Sequence, residues 1–323
     1  MTQSNSHIYT QRQSAFLYFK AIALVVAVQF IIAPFILANQ NALQSTVFNL
    51  LGMLLMQVAF FVAVLSSGSK PLLRIKERLH CNFKVVMLSL LIWVVAFVAF
   101  ISTNIYFGMF LQTIGYKSSD LQIVTFSEVI LGILTIGIVA PICEELVFRF
   151  GMLEGYKCKS NIKAIFLTAS AFALMHMNPE QTFYQFFLGA VCAYIAIKTN
   201  SIVPSILIHS ANNIVSLFLG FSDQFDNTLS DMFGQSWFVI IAIVLFVSGV
   251  YLIYRLGVLC QKVMKTDASL SLDTQTQSKL QTVHDEFAKN SFTNSNTNGT
   301  VFYICTMVFC VFMWLIVFGT SIA

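Results

Sequence analysis

Residues 138–149 read Ile-Val-Ala-Pro-Ile-Cys-Glu-Glu-Leu-Val-Phe-Arg and lie inside an apolar segment, 124–156, long enough to cross a bilayer. One carboxylate near the middle of a membrane costs roughly 2.5–3.5 kcal/mol on insertion scales. Glu144 and Glu145 are adjacent, and Arg149 follows four residues later. Such a group in hydrocarbon reads first as a functional site inside a transmembrane helix.

The rest of the chain agrees with a membrane setting. Of 323 residues, 57% are hydrophobic and 10% are charged, where a soluble domain carries about 25% charged residues. The expected fold class is all-α: a polytopic transmembrane bundle of about nine spans, at 15–38, 44–66, 85–112, 124–156, 162–178, 182–198, 202–220, 236–260 and 300–322. The first is too long for the core of a signal peptide, so it reads as an uncleaved span. The net charge of +4 is spread along loops, which argues against a nucleic-acid partner. Seven cysteines lie mostly in apolar runs without a Cys-x-x-Cys pair, and they read as small packing residues rather than a disulfide framework or zinc finger.

Lysine and arginine set the expected orientation. Lys70, Arg74, Lys76, Arg78 and Lys84 follow span two, Lys157, Lys159 and Lys163 follow span four, and Lys198 follows span six. Arg255, Lys262 and Lys265 mark the end of span eight. The alternate loops hold only Lys117, with Asp223, Asp226 and Asp231 after span seven. A cytoplasmic N-terminus and an outside C-terminus put every basic loop on one side. The chain then divides into N-terminal spans with a basic loop (1–123), a core (124–220), an eighth span (221–262), a polar cytoplasmic linker (263–299) and a last span (300–323). The basic loop 67–84 could lie on anionic lipid.

Of five histidines, His7, His80 and His284 fall in polar segments, whereas His176 and His209 fall in spans five and seven. Counted from the basic ends, Glu144, His176, His209 and Asn213 lie about 16–23 Å into the membrane. Three spans therefore deliver Glu, His, His and Asn to one depth. Glu145 and Arg149, at i and i+4, can pair along one helix face, which leaves Glu144 about 100° away to face the bundle. His209 and Asn213 are likewise i and i+4, with Asn212 at i+3 a competitor. Phe172 lies one turn before His176 and could wall the site. Pro141, Pro179 and Pro204 lie near the three elements, and proline inside a span frees a carbonyl and bends the helix. A carboxylate and an imidazole holding one water can remove its proton as it attacks a carbonyl. A second histidine and an asparagine amide can donate to the oxyanion that forms. These are parts for peptide hydrolysis without a covalent intermediate.

Glu-Glu-x-x-x-Arg (Glu144, Glu145, Arg149), Phe-x-x-x-His (Phe172, His176) and His-x-x-x-Asn (His209, Asn213) resemble, in order and spacing, the three motifs of the CPBP family. That family comprises the CAAX proteases and the bacteriocin-processing or self-immunity proteins often called Abi. The resemblance covers about residues 124–220. It implies an intramembrane glutamate-dependent endopeptidase acting on a membrane-associated protein or peptide; eukaryotic relatives remove the last three residues of prenylated CAAX proteins. By the same resemblance Glu144 with His176 activates water, His209 with Asn213 forms the oxyanion hole, and Glu145 and Arg149 support the structure. No cofactor is expected. Glu144, His176 and His209 could still bind zinc, although the His-Glu-x-x-His spacing of zinc peptidases is absent.

Two other classes use similar residues. A proton-coupled transporter also builds relays from intramembrane Glu and His, and predicts flux without cleavage. A membrane scaffold or self-immunity protein keeps the motifs without hydrolysis, and predicts that Glu144→Ala retains its biological effect. Gly-x-Ser-Gly and Gly-x-Gly-Asp motifs of other intramembrane proteases are absent. Glu128, near the outer end of span four, has no role legible in the sequence.

Overall fold

Backbone N–H and C=O groups in hydrocarbon must be satisfied within the chain, so apolar runs of this length fold as helices. The structure, a computed structural model, describes residues 9–38, 46–67, 74–117, 125–157, 160–219, 236–271 and 297–322. Among these residues the chain forms nine helices and a single 3-10 turn, with no strand. The helices are α1 (Gln11–Ala38), α2 (Thr46–Leu65), α3 (Phe83–Thr113), α4 (Phe126–Tyr156), α5 (Asn161–Met175), α6 (Thr182–Thr199), α7 (Val203–Leu219), α8 (Ser236–Ser271) and α9 (Thr297–Ser321). Six of them, α1 to α4, α8 and α9, are long and apolar enough to cross a membrane, which makes this an integral multi-pass membrane protein. The inner helices α5, α6 and α7 have 15, 18 and 17 residues.

Local signals fix the ends. Asn82 caps α3 by accepting from the Val85 amide at 2.8 Å. Thr125 and Glu128 form a reciprocal capping box at the start of α4, which gives Glu128 the structural role that its sequence position did not disclose. Span five stops early: α5 ends at Met175 and His176 occupies its C-cap. Met177 then takes the left-handed backbone conformation (φ 50°), and Pro179 cannot extend a helix back through it. Span eight runs past its expected end, because Gln261–Ser271 is polar but contains no proline or glycine to stop the helix. The rest of the expected linker, residues 272–296, lies outside the described residues, as do Lys70, Cys158, Lys159, Asp223, Asp226, Asp231, His7 and His284.

Contacts between helix ends put the basic turns together. Arg78, in the 3-10 turn Ile75–Arg78, pairs with Glu154 near the end of α4 at 2.8 Å. Its guanidinium also donates to the Asn200 carbonyl at 3.3 Å, and its own carbonyl accepts from the Ser201 hydroxyl and the Ile202 amide. Asn82 donates to Asp267 of α8. The start of α1 joins the same end, with Ser14 donating to the Gly151 carbonyl at 2.8 Å. At the far end the Lys117 amide meets the Ser321 carbonyl at 2.9 Å, and Trp314 donates to Thr182 at 2.8 Å. These contacts put the 3-10 turn, the end of α4, the turn between α6 and α7 and the end of α8 at one end of the bundle, and Lys117, Thr182 and Ser321 at the other.

The site lies between two apolar clusters. One joins α1, α2, α4, α5 and α9 around Tyr18, Phe60, Phe148 and Phe172. The other joins α3, α6, α7 and α8 around Ile92, Phe100, Cys192 and Ile208. Helix α4 approaches α1 closely at two glycines. A Cβ on Gly155 would fall 2.2 Å from Ser14 Oγ and 2.8 Å from the Thr10 carbonyl, and one on Gly151 would fall 2.2 Å from Leu17. Cys143, Cys192, Cys260 and Cys310 are buried free thiols, in line with their reading as packing residues.

Candidate functional site

Helix α4 is not a uniform α-helix. Ile133–Val139 and Leu146–Met152 are π-helical, and they flank the α-helical turn Ala140–Glu145 that carries both glutamates. A π turn widens the helix and frees backbone groups, and such bulges concentrate at functional sites. Here one freed group is identified: the Ile136 carbonyl accepts the Asn213 side-chain amide at 3.0 Å. Asn213 of α7 is thus tied to the first π segment.

The glutamates divide as helical geometry requires. Glu145 is fully buried, and its Oε1 accepts from Arg149 Nη1 at 2.7 Å. The same oxygen meets His209 Nδ1 at 3.1 Å. A carboxylate only accepts, so Nδ1 carries the proton and His209 presents Nε2. That nitrogen lies 3.7 Å from Glu144 Oε2. Arg149 spends another donor on the Gly189 carbonyl of α6 at 2.9 Å, and its guanidinium stacks 4.6 Å from the Phe172 ring centre. A buried ion pair survives when further hydrogen bonds and packing offset its desolvation; here α5, α6 and α7 supply them to the pair on α4.

His176 is half-buried, and its Nδ1 donates to the Phe172 carbonyl at 2.8 Å, which leaves Nε2 for chemistry. The Phe172 ring, fully buried, lies 4.8 Å from the His176 ring and 5.4 Å from that of His209. It is the wall between the two imidazoles.

The two asparagines have different partners. Buried Asn212 accepts from the Tyr184 hydroxyl and donates to Asn213 Oδ1 at 3.4 Å. Asn213 is half-buried and keeps one amide hydrogen beyond the one given to Ile136.

One neighbour of Glu144 was missed in the sequence. Gln57, in the middle of α2, donates from Nε2 to Glu144 Oε1 at 3.1 Å. A lone glutamine in the apolar helix Thr46–Leu65 was its only signal. Among the described residues no group of three His, Cys, Asp or Glu side chains is arranged to hold a metal ion. Both Nδ1 atoms are committed to a carbonyl or a carboxylate.

No curated protein and no solved structure matches the chain. Residues 126–215, which carry Glu144, Glu145, Arg149, Phe172, His176, His209 and Asn213, match the family model described as type II CAAX prenyl endopeptidase Rce1-like, so the kinship read from the three motifs holds for this segment of the chain.

Proposed function

We infer that the protein is an intramembrane endopeptidase that hydrolyses a peptide bond of a membrane-associated protein or peptide, with Glu144 as the base. The observation that carries this reading is the meeting of Glu144 Oε2 with His209 Nε2 at 3.7 Å, beside the Phe172 wall that leads to His176. The match to a CAAX-type protease family supports it at the level of reaction class.

In this reading Glu144 Oε2 takes a proton from water as the water attacks the scissile carbonyl. His176, with Nδ1 pinned to Phe172, offers Nε2 to hold that water, and Glu144 then returns the proton it took to the leaving amine. The spare amide hydrogen of Asn213 donates to the developing oxyanion, and His209 Nε2 does so when the ring carries a proton on both nitrogens. The Glu145–Arg149 pair holds His209 in position rather than touching substrate. No step requires a metal. The basic helix ends face the cytoplasm by the positive-inside rule, which puts the start of α1 inside and the end of α9 outside.

The test uses purified full-length protein in lipid vesicles with a prenylated CAAX peptide and, in parallel, unprenylated membrane peptides. Cleavage of at least one is expected, with loss in Glu144→Gln, His176→Ala and His209→Ala. Persistence of cleavage in Glu144→Gln overturns the mechanism. Activity is expected to survive exhaustive chelation, and its loss with recovery on adding zinc would overturn the metal-free reading.

A further inference from the structure

The segment that matches the protease family begins at residue 126, yet one of the closest polar partners of Glu144 comes from outside it. Gln57 is 8% exposed on α2, a helix otherwise built from Leu, Ala, Phe and Val on the face it buries. An uncharged amide in hydrocarbon is costly unless it is hydrogen-bonded. Its Nε2 reaches Glu144 Oε1 at 3.1 Å, and the carboxylate fixes which end of the amide faces it, because only the NH2 can donate to an acceptor-only group.

This bond divides the labour between the two oxygens of Glu144. Oε1 is held by Gln57, while Oε2 lies on the His209 side and has no protein hydrogen-bond partner among the described residues. A carboxylate on a helix otherwise rotates about its last torsion, which is broad and roughly two-fold. One anchored oxygen removes that freedom and presents the other in a set direction. Gln57 Oε1 is also buried and without a protein partner, so the amide brings an acceptor as well as a donor to the same spot.

We propose that Gln57 is a positioning residue for Glu144, and that α2 is thereby part of the reaction centre. The proposal rests on the reading of Glu144 as the base. Loss of the amide should lower turnover without weakening substrate binding, since a small misplacement of a reacting group costs far more than it does in packing.

The test uses Gln57→Met, which keeps the volume and cannot donate, with Gln57→Leu as a second variant in case the first folds poorly. In full-length protein in vesicles, kcat is expected to fall at least about tenfold while KM stays within about twofold and the melting temperature holds. An unchanged kcat in both variants overturns the proposal. A second readout does not depend on turnover. The infrared difference between wild type and Glu144→Gln isolates the Glu144 carboxyl band, and the same difference in the Gln57→Met background should show that band moved. An unmoved band overturns the contact. Should wild type cleave no peptide, the protease reading fails on its own, and the band still decides whether Gln57 holds Glu144.

Discussion

His209 Nδ1 and Glu145 Oε1 meet at 3.1 Å across α7 and α4, on an oxygen already held by Arg149 at 2.7 Å. The second glutamate of the pair is therefore the hinge-pin of the imidazole, and its neutral and truncated variants should separate. Glu145→Ala leaves Arg149 buried without its counter-charge and should cost about 3–5 kcal/mol of stability. Glu145→Gln keeps the shape and should fold better than Glu145→Ala, yet lose activity with the orientation of His209. Thermal denaturation in detergent, run beside a cleavage assay, checks both; equal melting temperatures for the two variants would refute the account.

Phe172 touches both imidazoles, the Phe148 ring at 5.3 Å and the Arg149 guanidinium. Truncation to alanine opens a cavity in the core and should cost about 3–5 kcal/mol. Phe172→Leu fills most of that space and should fold, but with lower activity because the wall between the histidines loses its flat face. Chemical denaturation of both variants gives the comparison.

Gly155 faces Ser14 and the Thr10 carbonyl so closely that no side chain fits. The Thr10 oxygen is backbone, at 2.8 Å from the built Cβ, and cannot rotate away. Gly155→Ala should destabilise by about 1–3 kcal/mol through overpacking. Gly52, with nothing within 4 Å of its built Cβ, supplies the control: Gly52→Ala should be neutral or slightly stabilising.

Two arginines of one loop should behave differently. Arg74 pairs with Glu77 at 2.9 Å on the surface, and that hydrogen bond holds the Glu77 carboxyl below its usual value. Any stability from it is present above the unfolded carboxyl pKa and is lost as pH falls through the lowered one. The pair is exposed and screened, so Arg74→Ala should change stability by less than about 1 kcal/mol. Arg78 instead joins the end of α4 to the turn between α6 and α7 through Glu154, Asn200 and Ser201. Arg78→Ala removes a 2.8 Å ion-pair partner from the largely buried Glu154 carboxylate and should be clearly more destabilising. Melting curves at pH 7 and pH 4 test both claims.

The chemistry of α4, α5 and α7 was legible because carboxylates and histidines are rare and costly in apolar runs, so each one signals. Glu144, Glu145 and Arg149 could be assigned faces from the angle per residue alone. Helical spacing alone left Asn212 and Asn213 open and the motif favoured Asn213; the packing shows Tyr184 beside Asn212 and the Ile136 carbonyl beside Asn213. The π turns were hidden because a shift from i→i+4 to i→i+5 bonding leaves no compositional mark. Gln57 escaped notice for a different reason: α2 is distant in the chain, and helical periodicity says which face a residue lies on but not which helix it will meet.

The short inner helices have a consequence for the bilayer itself. At about 1.5 Å per residue α5, α6 and α7 span roughly 22–27 Å, against about 30 Å of hydrocarbon. They are not shielded from lipid throughout: Ile162, Phe166, Phe183 and Phe218 are exposed. A hydrophobic segment shorter than the bilayer is accommodated by local thinning, by snorkelling of flanking side chains or by association with other helices. His176 sits at the C-cap where α5 stops, so under the proposed reading a peptide backbone would reach Glu144 from the side where this short helix ends.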